Sequence, residues 1–172
     1  MILKRLFQRP TPPERSVYGE IVAAARHPQF YAGWHVADTL DGRFDMISLH
    51  TFLVLDRLKG SEDGFRQSLV DELFRDMDRS LREMGVGDIS VGKKVRKMAE
   101  VFYGRVTAYD KALDEGADAL EAAIARNVFP EGSGDDGPQR LAAYVLEQKR
   151  ALAEQQAPDI AAGRIRFKEP TP

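Results

Sequence analysis

The sequence predicts an all-α fold, a single-domain bundle of five to seven helices with a short N-terminal arm and an extended C-terminal tail. Apolar residues recur at helical spacing in at least four separate stretches, strand-like alternation is nearly absent, and glycine or proline marks the ends of most periodic stretches. Helices packing on helices are the layer architecture that such a pattern permits.

Pro10, Pro12 and Pro13 separate an arm, residues 1–13, from the body. The arm begins Met1-Ile2-Leu3-Lys4-Arg5-Leu6-Phe7-Gln8-Arg9, basic and amphipathic, without the longer apolar run and cleavage site of a signal peptide. It is expected to fray or to pack on the body as one helical turn, or else to attach weakly to an anionic membrane surface. A first helix is predicted from Glu14 to Arg26, ended by His27-Pro28, because proline disfavours helical backbone in the residue before it. In the mixed stretch after it, Phe30, Tyr31 and Trp34 cluster. They read first as core packing and second as a candidate partner-binding surface, since exposed aromatics anchor partners.

Asp38-Thr39-Leu40-Asp41-Gly42 is turn chemistry, with Asp41 expected to cap a helix from about Arg43 to Lys59. Phe44, Ile47, Thr51, Val54, Leu55 and Leu58 form one stripe, and Leu49, Phe52 and Leu53 a second. A helix apolar around so much of its circumference belongs at the centre. After a loop at Gly60–Gly64, Phe65, Leu69, Leu73, Met77, Leu81 and Met84 mark a strongly amphipathic helix that Gly85 and Gly87 end. Asp88 or Ser90 is expected to cap the next one. Its apolar face reads Val91, Val95, Met98, Phe102, Val106, Tyr109 and Leu113, up to a break at Gly116. Beyond the break come a shorter helix from Ala117 to Asn127, a flexible loop from Pro130 to Pro138 and a last long helix from Gln139 to Gln156. The helical domain so predicted covers 14–157, and the tail, 158–172, is expected to lie extended, with Ile165-Arg166-Phe167 docking as a short strand.

Composition narrows the function. At 172 residues, 43% hydrophobic and 30% charged, the chain is ordinary for a soluble globular domain. A net charge of −2 argues against a general nucleic-acid binder, and the lack of cysteine excludes disulfides and thiolate metal sites. No apolar run approaches the ~20 residues that span a bilayer.

The run from Gly87 to Lys93 approaches a phosphate-binding loop, but Lys94 stands where that motif needs Ser or Thr, and a helix rather than a strand precedes it. The three histidines form neither a His-Glu-x-x-His nor a Glu-x-x-His pattern. His50 shares the helix face of Ile47 and Val54 and reads as a core residue with one hydrogen bond. Gly-x-Ser-x-Gly and calcium-loop spacings are missing. No catalytic, metal or cofactor residues are therefore assigned, and no small-molecule substrate is expected.

Charge is more telling. Residues 62–88 hold eight acids and four bases, a net −4, whereas residues 93–105 hold five bases and one acid, a net +4. The two helices are expected to pair with each other. In the other arrangement the basic face points outward and steers an acidic partner, ribosomal RNA of the ribosome included.

Certain strings add to this. Asp38-Thr39-Leu40-Asp41-Gly42-Arg43-Phe44-Asp45, Leu49-His50, Phe74 to Glu83, Gly85-Val86-Gly87-Asp88 and Phe102-Tyr103-Gly104-Arg105 together resemble the ubiquinol–cytochrome c chaperone family, over roughly residues 18–127. The resemblance implies a non-enzymatic assembly factor that binds newly made cytochrome b and supports biogenesis of the cytochrome bc1 complex, complex III. Mitochondrial members act with a small partner near the ribosomal exit tunnel. The short chain without a presequence looks like an alphaproteobacterial member, working in the bacterial cytoplasm at the inner face of the membrane. The client surface expected here joins Phe30, Tyr31 and Trp34 to the corner carrying Asp88, Lys93, Lys94, Lys97 and Arg105. The competing readings are a helical-bundle enzyme of quinone or haem metabolism and a membrane-surface interaction domain.

Overall fold

The computed structural model describes residues 11–132 and 136–171. The expectations for the first ten residues and for the centre of the acidic loop lie outside them. Seven α-helices and no strand occur among the described residues: α1 (Pro13–Ala25), α2 (Leu40–Arg57), α3 (Asp63–Glu83), α4 (Asp88–Glu115), α5 (Ala117–Val128), α6 (Gly137–Ala153) and α7 (Ala157–Ala161).

The core is organised around α2. Every residue from 44 to 55 is buried, and α1, α4, α5 and α6 all pack against this helix. The double stripe read from the sequence thus becomes a helix sheathed on all sides. Its neighbours bury single faces: Val17, Tyr18, Ile21 and Ala25 on α1, Leu120, Ala123, Ile124 and Val128 on α5, and Leu141, Tyr144, Val145 and Leu152 on α6. Each aliphatic side chain so buried contributes roughly 1.5–3 kcal/mol.

The polar groups of α2 need partners inside the protein. The Nδ1 of His50 lies 2.8 Å from the Met46 carbonyl, which can only accept, so this nitrogen carries the proton. The Nε2 then accepts from the Tyr144 hydroxyl at 2.9 Å, fastening α2 to α6. Complete burial holds the imidazole down at about 4, so it is neutral at pH 7. His50 thus makes two hydrogen bonds, one more than expected. At the far end, Arg57 donates to the carbonyls of Leu152 (2.9 Å) and Gln155 (2.6 Å), covering the exposed C-terminal carbonyls of α6.

Helix ends correct the sequence reading in two places. The cap of α2 is Thr39, whose hydroxyl accepts from Gly42 N at 3.1 Å, while Asp41 already lies in the first turn. A Cβ on Gly42 would fall 1.9 Å from the Ala37 carbonyl oxygen, so only glycine lets the incoming loop pass this close. The start of α4 has no side-chain cap: Gly87 holds the N-cap position, and Asp88 pairs with Arg82 across the corner. Gly85, at φ 82°, ends α3 in the left-handed conformation that glycine adopts without strain.

The stretch between α1 and α2 winds a π-helical turn, Gln29–Gly33, with Trp34 N bonded to Gln29 O at 2.9 Å. This turn drives the Phe30 ring inward, to 5.0 Å from Tyr144, 5.3 Å from Trp34 and 5.7 Å from His50. Edge-to-face packing of this kind favours the ring quadrupoles.

The tail differs from expectation. Its first part coils into α7, and the remainder is extended without strand partners. Two glutamines at the end of α6 and just beyond it hold this segment instead. Gln155 accepts from the Arg166 N–H at 3.0 Å and donates to the Arg166 carbonyl at 2.8 Å. Gln148 does the same for Lys168, both at 3.0 Å. These side-chain amides stand in for a neighbouring strand, and they seat Phe167 at 5.4 Å from His50, with Ile160 and Ile165 buried.

Two substitutions test this packing. Tyr144→Phe leaves His50 Nε2 buried without a donor and lowers stability by about 1–3 kcal/mol in urea denaturation. Gly42→Ala, which raises helix propensity by up to about 1 kcal/mol, nonetheless destabilises by about 2 kcal/mol or more in the same measurement, because the added methyl meets backbone.

Candidate partner-binding groove

Helix α4 is long, and its apolar stripe is wider than the bundle that covers it. Val91, Phe102, Tyr109 and Ala112 are buried, but Met98, Val101 and Val106 are only half-buried. Beside this uncovered flank runs a groove of about 490 Å³. Met98 and Val101 of α4 line it together with Phe44 and Leu40 at the start of α2 and Leu81 of α3; Leu40 is 46% exposed. Lys94, Lys97 and Arg105 of α4 and Arg126 of α5 line the same groove and give it a basic rim, while Pro130 closes one end. An adjoining cavity of about 430 Å³ shares Asp41, Asp45 and Pro130.

Asp45 and Arg105, both lining the groove, form an ion pair that links α2 to α4. The Arg105 guanidinium also lies 5.8 Å from the Phe44 ring centroid, within cation–π range. Asp45 is 5% exposed. Burial pushes its carboxyl up to about 6 despite the opposing pull of Arg105. Arg105 Nε is buried with no hydrogen-bond partner among the described residues, so this guanidinium has an unused donor.

The expected pairing of α3 with α4 does not form the main charge pattern. Four of the six acids of α3 are matched by its own arginines, in Arg66–Asp63, Arg75–Glu72, Arg79–Asp76 and Arg82–Asp78. Helix α1 adds Arg15 to Glu72 at 3.2 Å and Tyr18 to Asp76 at 2.9 Å. Only Arg82–Asp88 crosses the corner among the described residues. Lys93, Lys94 and Arg96 have no ion pair among the described residues, and Lys97 pairs with Glu100 of its own helix at 3.3 Å. The positive face of α4 is therefore displayed.

Of the candidate surface residues, the structure brings Lys94, Lys97 and Arg105 together in the groove. Lys93 and Asp88 are exposed nearby without lining it. Phe30 and Trp34 are corrected: they are 0% and 3% exposed, packed on Tyr144, and offer no surface. Tyr31 is half-buried, its hydroxyl donating to the Ala25 carbonyl at 2.7 Å, and it faces a separate hollow with Arg26 and Arg43. The sequence reading missed Leu40, Asp45, Met98, Val101 and Arg126 as groove residues. One signal was present: 94, 97, 98, 101 and 105 share a face at helical spacing. Two of the strings that carry the family resemblance, ending in Asp45 and Arg105, meet at the ion pair. No group of three or more His, Asp or Glu side chains among the described residues is placed to hold a metal ion.

An all-helical bundle with an apolar groove under a basic rim has the form of a protein-binding module. The chain belongs to the ubiquinol–cytochrome c chaperone family, whose sequence profile matches residues 33–167. It is similar to ubiquinol–cytochrome-c reductase complex assembly factor 1 of Xenopus laevis, 25% identical over 130 residues covering 73% of this chain and 65% of the relative. The assembly factor 1 of Mus musculus is 24% identical over 157 residues, 88% of this chain and 53% of the relative. The chain thus spans between about half and two thirds of these relatives' length. Its fold matches the crystal structure of the Cbp3 homolog from Brucella abortus, with a TM-score of 0.81, 45% identity, and coverage of 91% of this chain and 89% of that one.

The groove carboxylate and the core imidazole oppose each other in their effect on stability. Asp45, held up at about 6, keeps its proton longer in the folded chain than its unfolded value of 3.8 allows, so its stabilising contribution is full below 3.8 and lost as pH rises through 6. His50, held down at about 4 from 6.5, contributes fully above 6.5 and loses that contribution as pH falls through 4. Each is worth up to about 3 kcal/mol, with opposite sign. Asp45→Asn removes one arm: between pH 4 and 6.5 its stability in urea rises more steeply with pH than that of the wild type, by up to about 3 kcal/mol. Equal slopes would contradict the burial of Asp45.

Proposed function

We propose that this protein is a non-enzymatic assembly chaperone for complex III and that its client is newly made cytochrome b. The observation that supports the reading most is the family match across residues 33–167, with relatives named as reductase complex assembly factors. The physical logic fits. An unassembled membrane helix bundle exposes apolar surface and unpaired polar groups, and a chaperone must shield them with a surface that is itself apolar and charged at its edges. The groove beside α4 has that character.

Among the described residues no helix is long and apolar enough to cross a membrane. The working location in this reading is the bacterial cytoplasm, at the inner face of the cytoplasmic membrane where cytochrome b emerges. The relatives matched are assembly factors, which favours binding over turnover of a quinone or haem.

Deletion of the gene in its host is expected to lower cytochrome b and bc1 activity together, with restoration by the full chain in trans. Normal amounts of assembled complex III in the deletion strain would refute the proposal.

A further inference from the structure

The groove has a length and a sign, and together they describe an occupant. Lys94, Lys97, Met98, Val101 and Arg105 run along one face of α4 over twelve residues, a rise of about 17 Å, or three helical turns. An extended strand of that length would present only two or three side chains to the floor, whereas a helix lays down anchors at i, i+3 or i+4 and i+7. The floor is apolar, the rim carries four cations, and the carboxylates lining it are Asp41 and Asp45. Asp45 is already engaged by Arg105.

We propose that this groove binds an amphipathic helical segment of a partner protein, seated by its apolar face and held by acidic side chains that reach Lys97, Arg126 and the partly exposed Arg105. This rests on the chaperone reading only for the identity of the partner; the groove's chemistry stands apart from it. Two nearer occupants carry too little negative charge. The chain's own first nine residues hold Lys4, Arg5 and Arg9 and no acid, so the rim repels them. The acidic face of α3 on a second copy has four of its six acids already paired with its own arginines, which leaves a net charge of only −2. Within the groove, Asp45 acts as an internal competitor: an incoming carboxylate takes over the Arg105 charge that Asp45 otherwise satisfies, so a segment lacking acids gains nothing there.

The test uses the full chain and three fluorescein-labelled helical peptides of about sixteen residues with one leucine stripe, flanked by Glu, by Gln or by Lys. Fluorescence anisotropy is expected to rank them Glu over Gln over Lys. Lys97→Glu with Arg126→Glu is expected to weaken the Glu peptide about tenfold or more and the Gln peptide much less. Asp45→Asn is expected to tighten the Glu peptide several-fold. A Tyr103→Ser variant, exposed on α4 outside the groove, is expected to leave peptide binding unchanged, and native far-UV circular-dichroism spectra at the assay temperature show that each variant folds. Equal affinity for all three peptides, or indifference to the groove variants, would overturn the proposal. So would binding confined to phosphatidylglycerol vesicles, or a concentration-dependent dimer that excludes the Glu peptide.

In the deletion strain, a variant blind to the Glu peptide is expected to fail to restore complex III. If it restores the complex fully, the groove assignment falls and the chaperone reading survives. If deletion itself has no effect while peptide binding holds, the chaperone reading falls and the groove assignment survives.

Discussion

The whole architecture depends on burying one helix completely. Twelve successive residues of α2 are shut off from water, and they include Asp45, Ser48, His50 and Thr51. An apolar helix in that place would have left the orientation of its neighbours to shape alone. Instead, His50 fixes α6 through Tyr144, and Asp45 fixes α4 through Arg105. Breaking either contact leaves a buried polar group without its partner, which costs more than the contact gains. The neighbours are thereby held in register by chemistry as well as by packing.

That same choice shapes the groove. Asp45 draws Arg105 down against the start of α2, and the flank of α4 that carries Met98 and Val101 stays half-covered beside it. The groove is a by-product of where the ion pair sits, in the first turns of α2. Farther along the same helix, the aromatic group of Phe30, Trp34, Tyr144 and Phe167 gathers around His50 and closes the core without an opening of that kind.

Much of this was legible in the sequence. Period and breaker residues placed α1, α3, α4 and α5 nearly to the residue, and the double stripe marked α2 as central. The cap of α2 was misjudged because Thr39 and Asp41 are both good caps, and the choice between them is made by the loop passing Gly42, a tertiary contact. The aromatic cluster reads both as core and as part of a client surface, because periodicity says nothing about a π turn; that turn rotates Phe30 inward, and the core reading holds for Phe30 and Trp34. Charge pairing failed for a local reason. The acids of α3 had arginines three and four residues away on their own helix, and such neighbours are reached before any on the next helix. The groove was hidden because it is built from several helices and a loop, a juxtaposition that no single stretch encodes.

The fastening of the tail has a chemical consequence. A strand edge holds its neighbour through main-chain groups that do not age, but here the work falls on the amide side chains of Gln148 and Gln155. Deamidation of either would convert a donor–acceptor pair into a carboxylate. The N–H of Lys168 or Arg166 would keep its acceptor, while the adjoining carbonyl would face a negative charge. The last stretch of the chain would then peel from α6, uncovering Phe167 and the edge of His50, so that old protein and fresh protein would differ at this one seam.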